Sequence, residues 1–153
     1  MFIVMKKSWL YESWSWRVVL AERPVHGSDE IHTSLLLLKG NVVQDKIHFD
    51  NVKSRLCLVD VGTCVGKKSK EKEGFYQLYF IGNRQCVGSL WEELKDKSKK
   101  IDGRYFFNRH EFNCRAGVAG TLKGAGLAYI LPEGMEARAG MSPDFSKAEY
   151  LVA

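Results

Sequence analysis

The stretch IHTSLLLLKGNVVQDKIHF, residues 31–49, decides the fold. Two apolar runs, 31–38 and 42–49, flank Lys39-Gly40-Asn41, and a Gly-Asn step between such runs is a hairpin signature. The register has two readings. A turn centred on Gly40 pairs residues whose numbers sum to 80 and sets His48 opposite His32. A two-residue Gly40-Asn41 turn pairs His32 with Phe49 and sends His48 to the other face, because a one-residue slip inverts a strand's side chains.

Upstream, Trp9, Tyr11, Trp14 and Trp16 lead into Arg17-Val18-Val19-Leu20, aromatic and β-branched residues that suit a pleated surface. Pro24, Gly27, Ser28 and Asp29 then predict a loop. Downstream, 55–61 and 75–81 predict two more strands around a lysine-rich loop. Ser89-Leu90-Trp91-Glu92 has the spacing of a capping box and predicts a helix to about Lys99, ending before Gly103. A second helix is predicted from Asn113 or Cys114, carrying Ala116, Gly117, Ala119 and Gly120. Each glycine weakens an isolated helix by about 1 kcal/mol, so close packing against a sheet must compensate. From Leu131 onward, Pro132, Gly134, Gly140 and Pro143 predict an irregular tail. The fold class expected is α+β, an antiparallel sheet packed with a few helices in one domain over 1–153.

Composition narrows the function. With 45% hydrophobic and 27% charged residues, the chain is neither disordered, collagen-like nor a coiled coil. No apolar run approaches the roughly 18 residues of a membrane helix. The first apolar residues precede Lys6 and Lys7, the reverse of a secretory signal, so a cytoplasmic or intracellular protein is expected. The net charge of +5 gathers at Lys67, Lys68, Lys70 and Lys72 and at Lys95, Lys97, Lys99 and Lys100. Glu71, Glu73, Asp96 and Asp102 interrupt both clusters, and no aromatics interleave them to stack bases. They read as solvated faces rather than a nucleic-acid footprint.

Four cysteines, at 57, 64, 86 and 114, are too scattered for a disulfide framework and are expected to be reduced thiols. Without a CxxC pair, no zinc site is expected, and no glycine-rich phosphate loop or other cofactor motif is present. Cys114 differs from the others because it opens a predicted helix, in Phe112-Asn113-Cys114-Arg115. A helix N-terminus and the Arg115 cation favour thiolate, Asn113 can cap, and the amides that follow can hold an oxyanion. The plain alternative for Cys114 is a small buried hydrophobe. A nucleophilic thiol needs a base, and His32 on a rigid strand is the first choice. His48 serves as orienter if it faces His32. Gln44 takes that role in the other register, and His110, four residues before Cys114, is the second candidate base.

A histidine opening a strand, followed by Asn-Cys opening a helix, resembles the circularly permuted papain-like cysteine hydrolases. Ile31-His32-Thr33-Ser34 resembles the His-Thr-Ser strand of the PPPDE isopeptidases, and Phe112-Asn113-Cys114 the Asn-Cys motif they share with lecithin:retinol acyltransferase-like enzymes. The resemblance covers two short segments. It implies a permuted papain-like domain in which Cys114 is nucleophile, His32 base and His48 or Gln44 the facing polar residue. The substrate would be an amide, isopeptide or thioester on a protein or acyl group, and the lysine loops would suit either an acidic protein or an anionic lipid surface. After the cysteine the sequence departs from the PPPDE pattern, with Arg115-Ala116-Gly117 in place of Asn-His-Phe. The rival reading is a non-catalytic basic module that binds a protein or nucleic acid through Trp9, Trp14, Trp16 and the lysine loops.

Overall fold

The computed structural model describes residues 15–24, 31–59, 75–108 and 112–127. Trp9, Tyr11, Trp14, Cys64, the lysines at 67–72, His110 and the tail from Leu131 lie outside them. Among the described residues six strands precede two helices: β1 (Trp16–Pro24), β2 (Ile31–Lys39), β3 (Val42–Ile47), β4 (Phe49–Val52), β5 (Arg55–Leu58), β6 (Phe75–Gly82), α1 (Arg84–Lys99) and α2 (Cys114–Gly124). The main sheet has the order β3-β2-β1-β6, and β4 pairs with β5 in a second sheet. Every pairing is antiparallel. This is an α+β fold.

The β2–β3 hairpin resolves the register question by combining a tight turn with a bulge. Lys39 pairs with Val42 and Leu38 with Val43, so the turn has two residues, Gly40 and Asn41, with Gly40 at φ 60°. Leu37 then pairs with Asp45, leaving Gln44 as the extra residue of a β-bulge. The extra residue restores the parity that the two-residue turn removes. His48, one position beyond the last pair, Leu35 with Ile47, therefore continues on the face of Ser34 and His32. Arg17, fully buried, anchors the turn by donating from Nε to the Gly40 carbonyl at 3.1 Å.

The two faces of the sheet are both covered. On one, Val18, Leu20, Leu35, Leu37 and Ile47 pack with Val87, Trp91 and Leu94 of α1 and Ala116, Val118, Ala119 and Leu122 of α2. On the other, Val19, Leu36, Leu38 and Val43 form a second buried cluster. Burial on both faces is why the run from Leu35 to Leu38 is continuously apolar rather than alternating.

Two predicted boundaries are corrected. Ser89 does not cap α1; it lies inside the helix, where its Oγ donates to the Gln85 carbonyl at 3.0 Å. The cap is Asn83, whose Oδ1 accepts from Cys86 N at 2.9 Å. The buried stripe Val87, Trp91, Leu94 and Ser98 starts a turn earlier than the Ser-x-x-Glu spacing indicates, and burial of that stripe sets the start. The predicted strand over 42–49 also ends early, at Ile47, and its continuation turns into a separate hairpin. That β4–β5 turn uses Lys53 and Ser54 at φ 51° and 65°, a conformation usually left to Gly or Asn. Beyond α1, Leu56 N donates to Tyr105 O and Phe107 N to Ser54 O, which lays 105–107 along β5 and leads the chain to α2.

Candidate active site

The two strand histidines meet. His48 Nδ1 lies 3.4 Å from His32 Nε2, with the ring centroids 5.0 Å apart and the planes at 79°. Both rings are half-buried. His48 occupies the break between β3 and β4, and its carbonyl accepts from Val59 N at 2.9 Å, which pins the backbone beneath the ring.

Cys114 is the first residue of α2 and Asn113 its N-cap, whose Oδ1 accepts from Ala116 N at 3.1 Å. Backbone N–H groups of Thr33 and Arg115 reach the sulfur. Thr33 follows His32 in β2, so the thiol stands against the strand one peptide from the candidate base. β2 runs past the ladder with β3 at this point, since that ladder ends at Leu35.

The electrostatics differ from the sequence expectation. Burial pushes the Cys114 thiol above its ordinary value, and this outweighs the N–H groups that favour thiolate. Arg115 does not present its charge to the sulfur alone. Its Nη2 lies 3.0 Å from Glu22 Oε2, with both side chains fully buried. Glu22 raises the thiol and Arg115 lowers it, so the carboxylate opposes the cation at the sulfur. Thr33 Oγ1, across the strands from Glu22, is buried with no hydrogen-bond partner.

The remaining candidates are not at this point. Gln44 donates to Val42 O at 3.4 Å, toward the turn of the hairpin, and lines a groove with Trp16, Leu37 and Trp91. His110 lies outside the described residues. Among the described residues, no group of three or more His, Cys, Asp and Glu could hold a metal ion. Cys57 is half-buried on β5 and Cys86 is exposed on α1. Sequence reasoning missed Glu22 as part of the site. The available signal was an acid in the same alternating register as Val18 and Leu20, a position that demands a buried partner.

No family model matches the chain, and neither the curated proteins nor the solved structures contain a match to it. Among the described residues, no helix is long and apolar enough to cross a membrane.

Proposed function

We propose that the chain is a cysteine hydrolase with a permuted papain-like arrangement, acting on an amide, isopeptide or thioester through Cys114 and His32. The observation that carries this reading is the His32–His48 contact, placed one peptide from the strand segment that touches the Cys114 thiol.

In this reading the role of base assigns the tautomer of the pair. For His32 to act as base, one of its ring nitrogens must carry a lone pair toward the thiol. His32 Nε2 faces His48 Nδ1, so a His32 acting as base donates Nε2–H to that nitrogen and keeps Nδ1 as the basic atom. His48 then holds its own proton on Nε2. It orients the first ring and stabilises the imidazolium when it forms.

Because burial holds the thiol protonated, the proton moves as the sulfur attacks rather than before it. The S–H proton passes to His32 Nδ1 while sulfur bonds to the carbonyl carbon and the C=O electron pair moves to oxygen. The Cys114 N–H, in the first turn of α2, donates to that oxyanion in this reading. Collapse expels the amine or thiol, which takes the proton from His32 Nδ1 and leaves an acyl-thioester on Cys114. Water then attacks with His32 as base, releasing the acid and regenerating the thiol.

The test is turnover of an aryl ester and thioester panel by the wild type, Cys114→Ala and His32→Ala. Loss of turnover in both variants, with an unchanged circular dichroism spectrum, supports the reading. Full turnover by Cys114→Ala contradicts it.

A further inference from the structure

A second cavity, of about 310 Å³, opens between β3, β5 and α1. Its apolar wall is Ile47, Leu58 and Val59, and its polar wall includes Asp45, Lys95, Ser98 and Lys99. Lys95 and Lys99 lie four residues apart on α1, about one helical turn, and both line the same opening.

The cleft holds one carboxylate, Asp45, and it is already committed. Asp45 Oδ2 accepts from Trp91 Nε1 at 2.9 Å and lies 3.5 Å from Lys95 Nζ, while its Oδ1 accepts from Lys46 N at 2.8 Å. Among the described residues, Lys99 has no ion-pair partner. Basic residues in a helix's last turn commonly complement its dipole; Lys97 and Lys99 both do so, Lys97 outside the cavity and Lys99 on its rim. Lys95 and Lys99 face a concave surface with an apolar floor, a combination that the dipole alone does not require.

We infer that this cleft binds a small anion carried on a short apolar stem, a carboxylate or phosphate. The anionic oxygens sit between Lys95 and Lys99, and the stem lies on Ile47, Leu58 and Val59. The volume corresponds to about ten waters at ~30 Å³ each, room for a stem of roughly six carbons. A carboxylate or phosphate here competes with Asp45 for Lys95, so occupancy alters the carboxylate that holds the Trp91 indole. Binding at the cleft depends only on its lysines and apolar floor and stands whether or not Cys114 is a nucleophile.

Titration of the ¹⁵N-labelled full chain with hexanoate, hexyl phosphate, hexanol and hexylammonium tests it. The Trp91 indole resonance, assigned with Trp91→Phe, is the reporter. Saturable shifts of that resonance with the two anions, and none with hexanol or hexylammonium, are expected. Whichever anion binds more tightly identifies the preferred headgroup. Lys95→Gln/Lys99→Gln weakens anion binding on the order of tenfold, the size expected for two part-exposed ion pairs, while Lys97→Gln leaves it unchanged. Equal affinity for hexanol, equal affinity in the double variant, or no saturable shift with either anion overturns the assignment.

Discussion

Gly117, one turn into α2 from Cys114, lies directly against the ring of Phe49, the residue that follows His48. A Cβ at position 117 would stand inside van der Waals distance of Cγ and Cδ2 of that ring. The contact sets how closely the helix bearing the thiol approaches the chain bearing the second histidine, and it explains the small-residue face that α2 presents.

Replacing Gly117 with alanine therefore destabilises the fold. The helix gains up to about 1 kcal/mol from the lost glycine, but overpacking costs about 1–3 kcal/mol, and the neighbour is an aromatic ring with no exposed surface. Gly88, inside α1, provides the contrast, because a methyl group added there would meet nothing within 4 Å. Gly88→Ala raises the melting temperature by roughly 2–4 °C, and Gly117→Ala lowers it by a similar amount. Thermal unfolding of the two variants side by side checks both signs.

The Glu22–Arg115 pair, at zero exposure on both sides, makes a second prediction. Glu22→Gln leaves a buried guanidinium uncompensated and destabilises the chain by about 3–5 kcal/mol. A Glu22→Leu/Arg115→Met double variant removes both charges and recovers most of that loss. Urea unfolding measures each. A Glu22→Gln midpoint close to that of the wild type would mean that the pair does not hold α2 against the sheet.

Much of this architecture is legible in the sequence, for identifiable reasons. The hairpin over 31–49 announces itself through Gly40-Asn41, and the start of α2 through Asn113 and the small residues after it. What the sequence hides is the bulge at Gln44, because no residue type marks it, and the bulge decides which face carries His48. The β4–β5 hairpin is hidden because Lys53-Ser54 is an unusual pair at positive φ. The start of α1 is hidden because Ser89 and Glu92 imitate a cap inside a helix that Asn83 caps. The thiol environment is hidden because burial and the position of Glu22 are tertiary facts, and together they reverse the direction expected from Arg115 and the helix N-terminus.

The raised Cys114 thiol gives a pH prediction whose sign follows from burial. At any pH below its native value, less thiolate is present in the folded chain than in the unfolded one. Alkylation of Cys114 by iodoacetamide is therefore slower in the native protein than in urea. Its rate continues to climb with pH beyond the ordinary thiol value of about 8.5. By linkage, the stability this residue contributes is full below the ordinary value and declines as pH rises through it toward the native one. Cys114→Ala removes that component of the alkaline loss, as denaturant midpoints between pH 7 and 10 would show.

In the proposed mechanism His48 is a positioning residue, and its variants separate orientation from bulk. Gln can accept the His32 Nε2–H through its carbonyl, whereas Leu cannot. His48→Leu lowers turnover by about tenfold to a hundredfold, and His48→Gln restores a substantial part of it. Equal turnover by the two variants would assign His48 a packing role only.

Acylation of Cys114, with His32 as base, is the step on which the proposed chemistry turns. Intact-protein mass spectrometry after mixing with an acyl thioester measures it directly, and peptide mapping locates the adduct. One acyl group on Cys114 is expected in the wild type, none in Cys114→Ala, and acylation slowed by about a hundredfold or more in His32→Asn. Acylation elsewhere, or an undiminished rate in His32→Asn, would contradict the assignment of nucleophile and base.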